Sequence, residues 1–123
     1  MKNPVVYWEI NGTVGKKLAD FYLGVFEWEY QNEPGSDFYH LKSGNDEKGS
    51  INGGVFTGKG ALPHHLTVYV QVDDVDAYYE KALAMGGTPA QAPFNVKGVG
   101  RMGFFRDPDG HIIGLITPEE KPA

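Results

Sequence analysis

Apolar and polar residues trade places along this chain in two rhythms, and each rhythm occurs twice. "VVYWEI" (5–10) and "LTVYVQV" (66–72) are short, rich in β-branched and aromatic residues, and alternate in part, which predicts a strand in each. In "KKLADFYLGVFEW" the apolar side chains Leu18, Phe21, Tyr22, Val25 and Phe26 recur at helical spacing. "VDAYYEKALAMGG" repeats that spacing with Val75, Tyr78, Tyr79, Ala82 and Leu83, and Gly86-Gly87 supplies a helix stop. Hairpin material follows each helix: "SDFYHLKSGNDEKGSINGGVF" after the first and "GRMGFFRDPDGHIIGLI" after the second. Within the latter, Asp107-Pro108-Asp109-Gly110 has the Pro and Gly placement of a type I turn.

The two halves keep register. Tyr7 to Ile10 aligns with Thr67 to Val70 at an offset of sixty, and the helices align at fifty-seven because "NGTVGKK" is three residues longer than its counterpart. The last strands return to sixty, which sets Gly54-Val55-Phe56 against Gly114-Leu115-Ile116. The pattern predicts one α+β domain of two tandem βαβββ units, 1–60 and 61–123, joined by "TGKGALP". One helix per unit covers one sheet face, so the other face is buried elsewhere or lines a concavity. Two such sheets side by side predict a curved mixed sheet with a concave cup for a ligand.

Charge and composition narrow the partners. The net charge of −5 argues against nucleic acid or an anionic membrane surface, both of which demand a basic patch. With no cysteine there is no disulfide, thiolate nucleophile or thiolate metal site. No signal peptide and no apolar run of membrane-spanning length is visible, so the expected location is cytoplasmic. Abundant Phe, Tyr and Trp supply a motive for a homodimer.

Several motifs fail their context. "GVGRMG" (98–103) satisfies G-x-G-x-x-G but opens no helix, so a mobile loop is expected there, with Arg101 either solvated or reaching an anionic group. "DPDG" lacks the remaining acids of a calcium loop, and no serine sits in a G-x-S-x-G elbow. His111 is expected to be exposed. By alternation His65 shares a face with Thr67 and Tyr69 while His64 points away, and His40 cannot be phased. Glu9 lies in an apolar strand on the face of Tyr7. It is either a base or cation-gripping carboxylate with a raised pKa, or a residue that pairs with a basic side chain or reaches solvent at the strand end.

The combination of "ADFYLGVFEWEY", "TVYVQVDDVDAYYEKALAMGG" and "FFRDPDGHIIGLI" resembles the vicinal oxygen chelate superfamily of glyoxalases, bleomycin-resistance proteins and extradiol dioxygenases, and covers almost the whole chain. The resemblance implies the glyoxalase/bleomycin-resistance fold and, in metal-dependent members, one divalent ion held by His, Gln or Glu. Followed through the repeat, those four places fall on Tyr7, Gly54, Thr67 and Gly114. Two are glycines and two are poor ligands, so neither metal nor cofactor is expected.

The resulting expectation is a glyoxalase-like protein that holds a small organic molecule in a metal-free cup. The expected ligand-binding residues are Tyr7, Glu9, Gly54, His65, Thr67, Tyr69, Arg101 and Gly114, with Glu9 as the catalytic candidate. Gly54 and Gly114 would open floor space for a ligand, or would allow close approach of a neighbouring strand or helix. Three functions stay open: an isomerase or lyase using proton transfer, a non-catalytic sequestering protein of the bleomycin-resistance type, and a metal-dependent lyase or dioxygenase if the ligand register is misread.

Overall fold

The computed structural model describes residues 2–32, 34–44, 49–58 and 64–119. The chain divides into two compact units, Tyr7–Leu66 and Thr67–Ala123, the latter together with Met1–Val6. The expected junction at 60/61 lies outside the described residues. The short leading segment belongs with the second unit because the Gln71 amide donates to the Pro4 carbonyl at 2.8 Å.

The first unit is built from β1 (Val5–Gly12), α1 (Gly15–Val25), β2 (Glu29–Gln31), β3 (Phe38–Lys42) and β4 (Gly53–Thr57). Its sheet runs β2-β3-β4-β1, with β1 and β4 parallel and the other pairs antiparallel. The second unit contains β5 (Leu66–Gln71), α2 (Val75–Ala84), β6 (Thr88–Val96), β7 (Gly100–Arg106) and β8 (Ile112–Pro118). Its sheet runs β6-β7-β8-β5, again with only the β5/β8 pair parallel. Two βαβββ units therefore stand in the chain, and the fold class is α+β. The offset of sixty survives in the strand pairing itself, since Glu9 pairs with Gly54 and Tyr69 pairs with Gly114.

Each helix covers one face of its own sheet. α2 buries Val75 and Tyr79 against Val72 and Leu115, with Tyr78, Leu83, Val70 and Phe105 packed around them. It starts at Asp74, whose carboxylate accepts from the Ala77 amide at 3.1 Å. Such a cap satisfies one of the donors that a helix start leaves open. The glycine stop holds, because Gly86 adopts φ 108°, in the left-handed region.

α1 departs from the expected phase. The buried side is Gly15, Leu18, Ala19, Tyr22 and Leu23, packed on Leu41, Val55, Trp8 and Ile10, whereas Phe21, Val25 and Phe26 are exposed. The period was right and the face was displaced. Small residues explain it: a Cβ on Gly15 would stand 2.9 Å from the Thr57 amide nitrogen, so the helix lies on β4 through its small side.

The expected mobile loop at "GVGRMG" is instead the β6–β7 hairpin. Val99 donates to the Val96 carbonyl at 3.0 Å, and Gly100 to Gly103 already pair with β8. "DPDG" is the turn into β8, with Gly110 donating to the Asp107 carbonyl at 2.9 Å. Among the described residues no helix is long and apolar enough to cross a membrane.

Candidate functional site

Strand alternation sends Trp8 and Ile10 under α1, which leaves Tyr7, Glu9 and Asn11 on the sheet face that the helix does not cover. His40 of β3 belongs to the same face: it pairs with Gly54 of β4, and its Nδ1 lies 2.9 Å from the Tyr7 hydroxyl. On this side of the first unit is a cavity of about 670 Å³, lined in part by Tyr7, Gln31, His40, Lys42, Asn52 and Gly53. That volume falls within the range of small-molecule pockets, roughly 300–1,000 Å³. The Tyr7 phenol is held well above its ordinary range, first by burial and then by the Glu9 charge, so it stays a neutral hydroxyl at physiological pH.

Glu9 is buried, with 5% of its surface exposed. Its Oε2 faces the Nε2 of His65 at 3.8 Å, an electrostatic contact longer than a hydrogen bond, and both side chains are buried. Asn11, two positions along β1, holds His65 from the other end. Its Oδ1 accepts from the His65 amide at 2.9 Å, its Nδ2 lies 2.9 Å from the ring Nδ1, and its own amide donates to the His65 carbonyl at 3.1 Å. His64 is exposed, as alternation predicted for a neighbour pointing the other way.

The two glycines are occupied notches. A Cβ on Gly54 would stand 2.3 Å from Cζ of Phe38 and 2.9 Å from the Tyr7 hydroxyl. A Cβ on Gly114 would stand 2.5 Å from Cδ1 of Tyr69. Each strand leaves a hole because an aromatic ring of a neighbouring strand lies in it. Of the two uses foreseen for these glycines, close approach is the one the geometry displays.

Thr67 is buried and its hydroxyl donates to the Ile112 carbonyl. Tyr69 is buried edge-on against Phe104, with ring centres 5.4 Å apart. The four places where the superfamily would hold a divalent ion thus carry a neutral phenol, a hydroxyl committed to a carbonyl, and two glycines covered by rings. These groups do not fit a metal ion. Among the described residues no group of three or more His, Asp or Glu side chains is arranged to hold one.

Arg101 lies on β7 and grips Asp76 of α2 through two contacts, Nε at 2.5 Å and an Nη nitrogen at 2.8 Å, with Asn95 at 3.1 Å. That bond holds the Asp76 carboxyl below the usual carboxylate range. His111 is exposed and lies 3.0 Å from Asp107.

The structure therefore brings Tyr7, Glu9, Gly54 and His65 together in the first unit, and Thr67, Tyr69 and Gly114 in the second. Asn11 and His40 were missed as candidates. Asn11 continues the 7, 9, 11 alternation and was open to the same reasoning as Glu9. His40 needed the β3–β4 register, which no local pattern supplies.

Residues 9–115 match the sequence profile of the Glyoxalase/Bleomycin resistance protein/Dioxygenase superfamily. CFP32 of Mycobacterium tuberculosis, provisionally named a glyoxylase, is 32% identical over 99 residues, covering 77% of this chain and 38% of that protein. The anthracycline biosynthesis protein DnrV of Streptomyces peucetius is 31% identical over 114 residues, covering 79% and 40%. The chain thus spans about two fifths of these relatives. Homoprotocatechuate 2,3-dioxygenase from Brevibacterium fuscum, solved as a complex with 3,4-dihydroxyphenylacetate, shares the fold. Its TM-score is 0.67 at 20% identity, covering 97% of this chain and 37% of that one.

Proposed function

We propose that this chain, which belongs to the Glyoxalase/Bleomycin resistance protein/Dioxygenase superfamily, binds a small organic molecule on the uncovered sheet face of its first unit and moves a proton on it. Members of the superfamily bind small molecules, as the dioxygenase complex shows. The observation that carries the reading is Glu9, a carboxylate buried on that face beside an imidazole and one alternation from a phenol. Ionisable side chains are rarely buried unless paired, and such groups cluster at functional sites.

In this reading Tyr7 and His40 meet the ligand at the cavity wall. The neutral Tyr7 hydroxyl is suited to hydrogen-bond a carbonyl oxygen. Glu9 takes a proton from the carbon beside that carbonyl and returns it, the step common to isomerases and lyases. A sequestering protein would use the same contacts without turnover.

The test is ligand-observed NMR in D2O with a panel of small carbonyl compounds that have exchangeable α-protons. Saturation transfer reports binding, and loss of the α-proton signal reports proton transfer. The expected result is at least one binder whose α-proton exchanges. Glu9→Gln should keep binding and slow exchange about 100-fold or more, the usual scale of a general base. Binding without exchange would move the chain to the sequestering class. An equal effect from Glu80→Gln, an exposed site on α2, would remove Glu9 from the mechanism.

A further inference from the structure

We infer that Asn11 is a positioning residue that fixes His65 as the neutral tautomer with its proton on Nε2, so that within the Glu9–His65 pair the carboxylate is the base and the imidazole is only a donor. The orientation of the Asn11 amide follows from its partners. The His65 backbone N–H can only donate, so the Asn11 atom 2.9 Å from it is the carbonyl oxygen. The atom at the ring is then the NH2 group, which can only donate. His65 Nδ1 must therefore accept and carries no proton, which leaves the single proton of a neutral ring on Nε2, the nitrogen facing Glu9 at 3.8 Å.

Two consequences follow. Because Nε2 already holds its proton, His65 cannot take one from Glu9. A proton reaching Glu9 leaves by another route, and His65 does not relay it. Secondly, a doubly protonated ring would turn Nδ1–H against the Asn11 NH2, donor against donor. Asn11 therefore opposes a proton on Nδ1. The more familiar division of labour, with histidine as base and an acid orienting it, is reversed here. The link to catalysis rests on the proposed role of Glu9, while the tautomer stands on hydrogen bonding alone.

The experiment is long-range 1H–15N correlation on uniformly labelled wild-type protein at neutral pH, which reports the protonation of each ring nitrogen. The His65 ring should show an unprotonated Nδ1 and a protonated Nε2 at neutral pH. A protonated Nδ1 at neutral pH would overturn the inference. Asn11→Asp replaces the NH2 donor with an acceptor, so Nδ1 should become protonated at neutral pH. Asn11→Asp leaving the His65 spectrum unchanged would equally overturn it. Failure of the ligand assay would not, because the spectrum is read without ligand.

Discussion

Replacing Gly114 with alanine sets a methyl group against a ring that has nowhere to go. The new Cβ would stand 2.5, 2.7 and 3.1 Å from Cδ1, Cε1 and Cγ of Tyr69. Relaxed carbon contacts lie at about 3.5–4.0 Å, so ring and strand must separate by about 1 Å. Tyr69 is 2% exposed and has Phe104 against its edge at 5.4 Å, so the ring cannot swing into solvent. Overpacking of this kind costs roughly 1–3 kcal/mol, and the rigidity of the site places it near the top of that range. Replacing a strand glycine returns about 0.5–1 kcal/mol of backbone entropy. The expected net loss is about 2 kcal/mol, or a fall in melting temperature of roughly 4–12 °C for a domain of this size. Urea denaturation followed by circular dichroism should show a lower midpoint at unchanged slope. Gly24→Ala is the control: nothing lies within 4 Å of its Cβ position in α1, so it should stabilise by about 0.5–1 kcal/mol. Equal behaviour of the two variants would refute the claim that Tyr69 fills the notch.

Two further outcomes are expected. The Tyr7 phenol has its folded pKa raised above the unfolded value of about 10. Its contribution to stability is therefore complete below pH ~10 and is lost as pH climbs beyond that towards the folded value. Spectrophotometric titration should find a late tyrosine ionisation, and Tyr7→Phe should remove one late-titrating group. Asp74→Ala removes the cap that accepts from Ala77 and should cost about 1 kcal/mol, measured by urea denaturation, with Asp74→Asn recovering most of it.

Much of the fold was legible because it is written in short-range patterns. The sixty-residue offset matched Glu9 with Tyr69 and Gly54 with Gly114 before any strand was placed, and the strand pairs Glu9–Gly54 and Tyr69–Gly114 keep that match. Alternation on β1 put Tyr7 and Glu9 on one face correctly. What failed was phase and occupancy. Phe21 and Val25 drew the expected helix face towards themselves by size, whereas α1 packs through Gly15 and Ala19, where close approach outweighs side-chain hydrophobicity. The expected mobile loop at "GVGRMG" is a hairpin, in which Gly100 to Gly103 pair with β8. The contact between His40 and Tyr7 depends on which residues β3 and β4 set side by side, information spread over strands far apart in sequence.

The ring seated on each glycine also bears on how this scaffold could be converted. Installing a metal-binding glutamate at Gly54 or Gly114 is a two-step change in which the first step alone is ruinous. The carboxylate cannot enter until Phe38 or Tyr69 has been cut back, and cutting back the ring first opens a cavity in a packed wall. Neither intermediate is stable ground, so single-site libraries will not find the route. A designer who wants a carboxylate at either position must change glycine and aromatic together.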